Sequence, residues 1–165
     1  MQPHKIAASR VLLFDRLIDE DPKQLKEAHP FRVYSKEQLV ASIAQELARL
    51  LNTRNPQTRS ERAVERTVLD YGLRDFSSLF ASSPTDRDTL AREIEDTIEA
   101  FEPRLKEVSI TWEPTPEGRQ QQLSANIGAK IKLGTLLEPV SFPLLIYSTS
   151  GEARVLLPND VQSES

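Results

Sequence analysis

Phe101-Glu102-Pro103-Arg104-Leu105 is the stretch where one periodicity ends and another begins. On its N-terminal side, from Thr85, the apolar residues Leu90, Ile94, Ile98 and Phe101 recur at helical spacing along one face. On its C-terminal side Val108, Ile110 and Trp112 alternate with Ser109, Thr111 and Glu113, the period of two that lays one face of a strand on a core. Pro103 enforces the change. It has no N–H to give a helical ladder, and its ring drives Glu102 out of the α region. The chain therefore turns from helix to strand at a fixed corner, with an acid and a base on either side of a rigid ring.

Upstream of that corner, Ser35 opens a strong helix and Gln38, three residues later, completes a capping-box pattern. Leu39, Val40, Ile43, Ala44, Leu47, Leu50 and Leu51 form its apolar face, and Asn52-Thr53-Arg54-Asn55-Pro56 ends it in a turn. A shorter helix is expected over Ser60–Leu69, with Val64 and Val68 four apart, before Tyr71-Gly72-Leu73-Arg74-Asp75 imposes a turn. Asp75 to Phe80 reads as a further helical turn. Arg54, Arg59, Arg62 and Arg66 read as a solvated basic face, diluted by Glu61 and Glu65. Nearer the N-terminus, Leu12 to Ile18 is an apolar cluster set apart by the polar, proline-marked stretch Asp19–Phe31. It suits either a tail helix packed on the domain or a docking arm for another protein.

Downstream, strands are expected over Lys106–Glu113, from about Gln121 through Ile131, over Val140–Thr149 and over Ala153–Leu157, with a turn-rich loop at Pro114–Gly118. Pro143 lies inside the third strand, so its position should face an open edge or a bulge. The tail from Pro158 reads as disordered. Together these patterns give an α+β fold, with N-terminal helices packed on a small, mainly antiparallel sheet of three to four strands. Residues 1–34 form an arm and linker, 35–157 a single domain and 158–165 the tail.

At 165 residues, with 38% apolar and 28% charged side chains, the chain is long enough for one real core. Its net charge is −4, and the sheet half is the more acidic, which argues against nucleic acid or an anionic membrane as the main partner. The absence of cysteine excludes disulfides and thiolate chemistry. The N-terminus has no signal-peptide pattern, because Val11-Leu12-Leu13-Phe14 runs straight into Asp15-Arg16, and no apolar run is long enough to span a bilayer. A cytoplasmic protein is the expectation.

Chemistry-bearing motifs are sparse. His4 and His29 stand apart, outside any HxxxH or HExxH pattern, and the five glycines form no phosphate loop or dinucleotide fingerprint. No GxSxG elbow occurs. A hydrolase working with two carboxylates could use Glu102, but no second acid is singled out, since Glu95, Asp96 and Glu99 lie along an ordinary charged helix face. Glu102 and Arg104 read equally as a helix-end ion pair or backbone contact, or as an interface pair. Trp112 and Tyr147, placed on adjacent strands, suggest a stacking platform; with no basic surroundings, core or edge positions are the simpler reading. The inventory favours a binding or structural protein, whose open sheet edge could accept a strand from a partner.

Four separated pieces, Leu13-Phe14-Asp15-Arg16-Leu17, Leu50-Leu51-Asn52-Thr53-Arg54, Tyr71-Gly72-Leu73-Arg74-Asp75 and Phe101-Glu102-Pro103-Arg104-Leu105, together resemble the TssE family of type VI secretion baseplate subunits. That family is similar to the small, lysozyme-labelled wedge protein of contractile phage tails. The resemblance runs from about Val11 to Leu157 and departs from the family at Arg74, where proline is usual. It implies a non-enzymatic role without cofactors, in a wedge with TssF, TssG and TssK at the cytoplasmic face of the inner membrane, with the sheet receiving strands from the sheath proteins TssB and TssC. By the same resemblance, Glu102, Pro103 and Arg104, together with Leu13, Phe14, Asp15, Arg16, Leu17, Tyr71 and Gly72, become the expected protein-interaction residues. A peptidoglycan hydrolase and a cytosolic regulatory adaptor on the same fold are the competing readings.

Overall fold

The computed structural model describes residues 9–10, 33–55, 67–76, 83–114, 122–133 and 136–158. The expected features at Leu13–Leu17, at 60–66, at 77–80 and in the tail beyond 158 lie outside those residues. A two-residue strand β1 (Ser9–Arg10) pairs antiparallel with β2 (Val33–Tyr34), immediately before the first helix.

Helix α1 (Lys36–Asn52) begins as its sequence specifies. The Gln38 N–H donates to Ser35 Oγ at 3.2 Å and the Ser35 N–H to Gln38 Oε1 at 3.0 Å, so two otherwise orphaned donors are satisfied reciprocally. All seven residues of its expected apolar face are buried. Helix α2 (Pro84–Phe101) starts on a Ser83 cap with proline at its first position and buries Leu90, Ala91, Ile94, Thr97 and Ile98. Between the helices, Val68–Asp70 is a single 310 turn in which Val68 is 88% and Leu69 69% exposed. The helix expected over Ser60–Leu69 is therefore corrected at Val68 and Leu69, which lie in this 310 turn. The Thr67 side chain and Asp70 carboxylate cap this short turn, and Tyr71 leaves it in extended conformation.

After the corner come β3 (Leu105–Trp112), β4 (Gln122–Leu133), β5 (Leu136–Tyr147) and β6 (Ala153–Val155), a four-stranded antiparallel sheet in sequence order. The α+β architecture stands as expected. The register places Ile110 opposite Ile127 opposite Phe142, and Trp112 opposite Ala125 opposite Leu144, so one face of every strand contributes to a single core. Helix α2 lies against β3 and α1 against β6, covering that face from both sides. Tyr147 has the opposite parity from the buried Ile146, and it lies on β5, with β4 separating it from the Trp112 strand. The two aromatics thus lie on different faces of non-adjacent strands and make no stacking platform. Tyr147 instead carries the Arg154 guanidinium 5.3 Å from its ring centre.

β3 has one irregularity. Its register with β4 shifts between Lys106 and Ser109, at a bulge where Glu107 adopts φ 54°. The bulge reverses which residues turn their main-chain groups toward β4. Because the Glu113 N–H donates to Ser124 O at 2.8 Å, the parity of the strand has Ser109 and Thr111 facing β4 and Val108, Ile110 and Trp112 facing outward.

Candidate functional site

The corner residues lock together rather than projecting outward. Glu102 caps the C-terminus of α2, its N–H donating to Ile98 O at 2.8 Å while its own carbonyl accepts from the Leu105 N–H at 3.1 Å. Its carboxylate lies near the negative end of a helix, an unfavourable position for an acid. Arg104 compensates through a planar fork. Nε donates to Oε1 at 2.7 Å, Nη2 to Oε2 at 2.5 Å, and the Arg104 backbone N–H adds a third bond to Oε1 at 3.1 Å. The remaining Nη1 reaches Ser42 Oγ on α1 at 3.1 Å, and Arg104 O accepts from the Lys132 N–H of β4 at 3.3 Å. Side-chain exposure is only 5% for Glu102 and 14% for Arg104. One two-residue pair thus ties α2, β3, β4 and α1 into a single joint.

A second joint forms where the Leu50–Arg54 and Tyr71–Asp75 stretches meet. Arg54 and Leu73 make a parallel bridge, with the Leu73 N–H donating to Thr53 O at 2.9 Å and the Asn55 N–H to Leu73 O at 2.8 Å. The close approach is possible because residue 72 is glycine. It sits at φ +105°, and a Cβ there would lie 2.4 Å from Thr53 O. Arg54 donates to Leu51 O at 3.1 Å and to Gly151 O, with its guanidinium 4.7 Å from the centre of the Phe76 ring. Arg54 is itself exposed, with its guanidinium held by these main-chain carbonyls and the Phe76 ring, and Arg59, Arg62 and Arg66 lie outside the described residues. Asn52 grips β6 with both ends of its amide, Nδ2 donating to Ala153 O at 2.7 Å and Oδ1 accepting from the Ala153 N–H at 2.9 Å.

Tyr71 links the two joints, meeting the Phe101 ring edge-on at a centroid distance of 5.3 Å. Burial pushes its hydroxyl pKa up, and the nearby Glu46 and Glu102 carboxylates add to the rise. Arg74, the departure from the family pattern, forks onto Glu93 of α2 with bonds of 3.1 and 2.6 Å, so side-chain bonding holds this turn where proline is usual. That fork raises the Arg74 pKa.

Of the expected interaction residues, Glu102, Pro103, Arg104, Tyr71 and Gly72 therefore gather around one corner of the fold, and Leu13, Phe14, Asp15, Arg16 and Leu17 lie outside the described residues. Among the described residues no group of three or more His, Cys, Asp or Glu could hold a metal ion, and no helix is long and apolar enough to cross a membrane. Sequence reading passed over three contributors. Ser42 gives no pattern signal, because its role depends on a partner 62 residues away. Asn52 looked like a turn residue. Glu95, one of three acids on an apparently ordinary helix face, accepts the Ile110 N–H of β3 at 2.7 Å.

A family model described as baseplate wedge protein gp25 matches residues 37–135, which contain three of the four motifs, including both joints. No curated protein sequence matches. A solved chain of the baseplate complex from the type VI secretion system is 21% identical over 73% of this chain and 95% of that one, with a TM-score of 0.47. The family match covers more than half of the chain and includes the corner on which its fold turns, and on that ground the chain belongs to the gp25 family of baseplate wedge proteins.

Proposed function

We propose that this chain is a non-enzymatic wedge subunit of the TssE kind in a type VI secretion baseplate, binding TssF, TssG and TssK and giving the sheath proteins TssB and TssC their first sheet to build on. The observation that carries this reading is the family match across residues 37–135, with Glu102-Pro103-Arg104 inside it as a rigid joint. A subunit that must transmit position between neighbours needs such joints more than it needs a reactive cleft. The Glu102 carboxylate, bound on both oxygens and shielded, is built for holding rather than for proton transfer. Leu13, Phe14, Asp15, Arg16 and Leu17 are proposed as a docking arm toward the rest of the wedge. The site of action is proposed to be the cytoplasmic face of the inner membrane, reached through the other subunits and not by insertion.

A tagged chain recovered from its native cells tests this. Wild type should bring down wedge and sheath proteins, and Glu102→Ala/Arg104→Ala should lose them. Recovery of none by the wild type, with release of cell-wall fragments by the pure protein, would overturn the reading in favour of a peptidoglycan hydrolase. Recovery of a proteolytic adaptor alone would favour the regulatory one.

A further inference from the structure

One end of the sheet gathers positive charge on the face turned away from the helices. Leu105 pairs with Ile131 and both are buried, so their neighbours Lys106, Lys130 and Lys132 turn to the opposite face. Lys106 stands directly across from Lys130, and Lys132 follows two residues along β4. Like charges set opposite one another on a sheet are unfavourable. One acid eases this: the Glu107 carboxylate, at the bulge, lies 2.5 Å from Lys130 Nζ. Lys106 and Lys132 are exposed, and among the described residues neither has an ion-pair partner.

Two large apolar side chains border these lysines. Leu137 lies directly across from Lys132 and is 51% exposed, and Leu136 beside it is 57% exposed. Three ammonium groups against two leucines fit a segment that brings carboxylates and an aliphatic side chain together. The chain contains one at Ile18-Asp19-Glu20-Asp21, where an aliphatic residue precedes the only run of three consecutive acids in the sequence.

That segment lies outside the described residues, between β1 and β2, whose pairing holds the two ends of the intervening stretch together just before α1. At the start of α1, Lys36 Nζ lies 2.5 Å from Glu138 Oε2, and Glu138 is next to Leu137 on β5. The stretch is therefore anchored at the same end of the sheet as the lysines. Asp19 is nine residues on from Arg10 and Asp21 twelve before Val33, spans of roughly 30 and 40 Å when extended. Three inter-strand spacings, the full width of the sheet, come to about 14 Å.

We propose that Ile18-Asp19-Glu20-Asp21 docks on this face of its own chain, its carboxylates on Lys106, Lys130 and Lys132 and Ile18 against Leu137. Tethering presents the acids at an effective concentration of about millimolar, so ion pairs too weak to hold a separate peptide suffice. Docking fixes the point at the sheet's end from which Leu13–Leu17, immediately upstream, extend. The contact is a property of the chain alone and stands whether or not the chain acts in a baseplate.

The chain has no cysteine, so Gln24→Cys gives a single attachment point for a nitroxide close to the acids. In nuclear magnetic resonance spectra of the full-length labelled chain at low salt, the amide signals of Lys130, Lys132 and Leu137 should lose most of their intensity. Those of Ser124 and Tyr147, toward the other end of the sheet, should keep theirs. Raising the salt to about 1 M, where the Debye length is about 3 Å, should restore the lost signals. Reversing the acids, Asp19→Lys/Glu20→Lys/Asp21→Lys, should restore them too, and adding Lys106→Glu/Lys130→Glu/Lys132→Glu to that variant should bring the loss back. Rescue of this kind separates pairing of charges from damage to the fold. Full intensity at these amides in the wild type, or a loss that survives acid reversal, would overturn the proposal. So would a loss on isotope-labelled chains mixed with separate nitroxide-bearing ones, since the acids would then be reaching a second copy. If the wild type keeps full intensity while Lys106→Glu/Lys130→Glu/Lys132→Glu loses wedge proteins in the pull-down, the face belongs to a partner's acidic segment, and the proposal falls while the baseplate reading stands.

Discussion

Arg104 illustrates how a pair of charges becomes a structural element once it is enclosed. Its guanidinium and the Glu102 carboxylate are satisfied mainly by each other, so removing either leaves the other buried and unpaired. Truncation to Arg104→Ala should therefore cost about 3–5 kcal/mol in chemical denaturation, the range for breaking a buried pair. Ser42→Ala removes only one neutral acceptor of that network and should cost about 1 kcal/mol. Gly72→Ala faces backbone at 2.4 Å together with a left-handed φ, so it should be among the most damaging single-methyl additions in the domain, read as a fall in melting temperature. Glu107, also left-handed but exposed, behaves oppositely. Glu107→Gly should be close to neutral, whereas Glu107→Val should cost about 1–2 kcal/mol, because a branched side chain tolerates that φ poorly. Tyr71 sets a pH limit. Its folded pKa is raised above the unfolded value of about 10, so its contribution is fully present below pH ~10 and is lost as pH rises through the folded pKa. Tyr71→Phe should flatten the alkaline limb of a stability–pH curve, and an unchanged slope would show that Tyr71 does not govern it.

At the level of elements, periodicity was a good guide where an element is long and one-sided. Helix α1, its cap and all seven buried residues were legible, and so were the strand faces of β3 to β5, because burial on one face leaves a repeating mark in the chain. The 310 turn at Val68–Asp70 was misread for a corresponding reason: two valines four apart satisfy a helical pattern whether or not a core lies beneath them. The misplacement of Tyr147 came from strand order, which no local pattern encodes. The candidate site was half legible. Pro103 and Gly72 announce themselves through backbone chemistry, while Ser42, Asn52 and Glu95 act on residues far along the chain and look ordinary until the fold brings those residues near. Asn52 gives an element-scale test. Asn52→Leu keeps the bulk but leaves the Ala153 N–H and carbonyl without the amide, so β6 amides should lose exchange protection ahead of global unfolding.

Across the whole molecule, the two joints sit at successive corners of one path. The chain turns at Thr53 into the Arg54–Leu73 bridge, passes to Tyr71 and Phe101, and turns again at Glu102-Pro103-Arg104 into the sheet. The Leu51, Leu73, Leu105 and Ile131 side chains between them are fully buried in the same cluster. Substitutions at the two joints should therefore couple. The combination of Arg104→Ala with Tyr71→Ala should differ from the sum of the single effects by at least about 0.5 kcal/mol in a double-mutant cycle, as expected for residues sharing a network. An additive result would show that the corners act independently.

The Asn52 grip on β6 also bears on mechanical load. Pulled from its C-terminal end, a three-residue edge strand would peel from β5 one bond at a time, the weakest way to load a sheet. The amide of Asn52 binds Ala153 from the opposite side, so tension on β6 is shared with the end of α1 and passed into the helix that carries the core. A load applied to β6 is thereby met by α1 together with the ladder to β5, not by three residues of ladder alone.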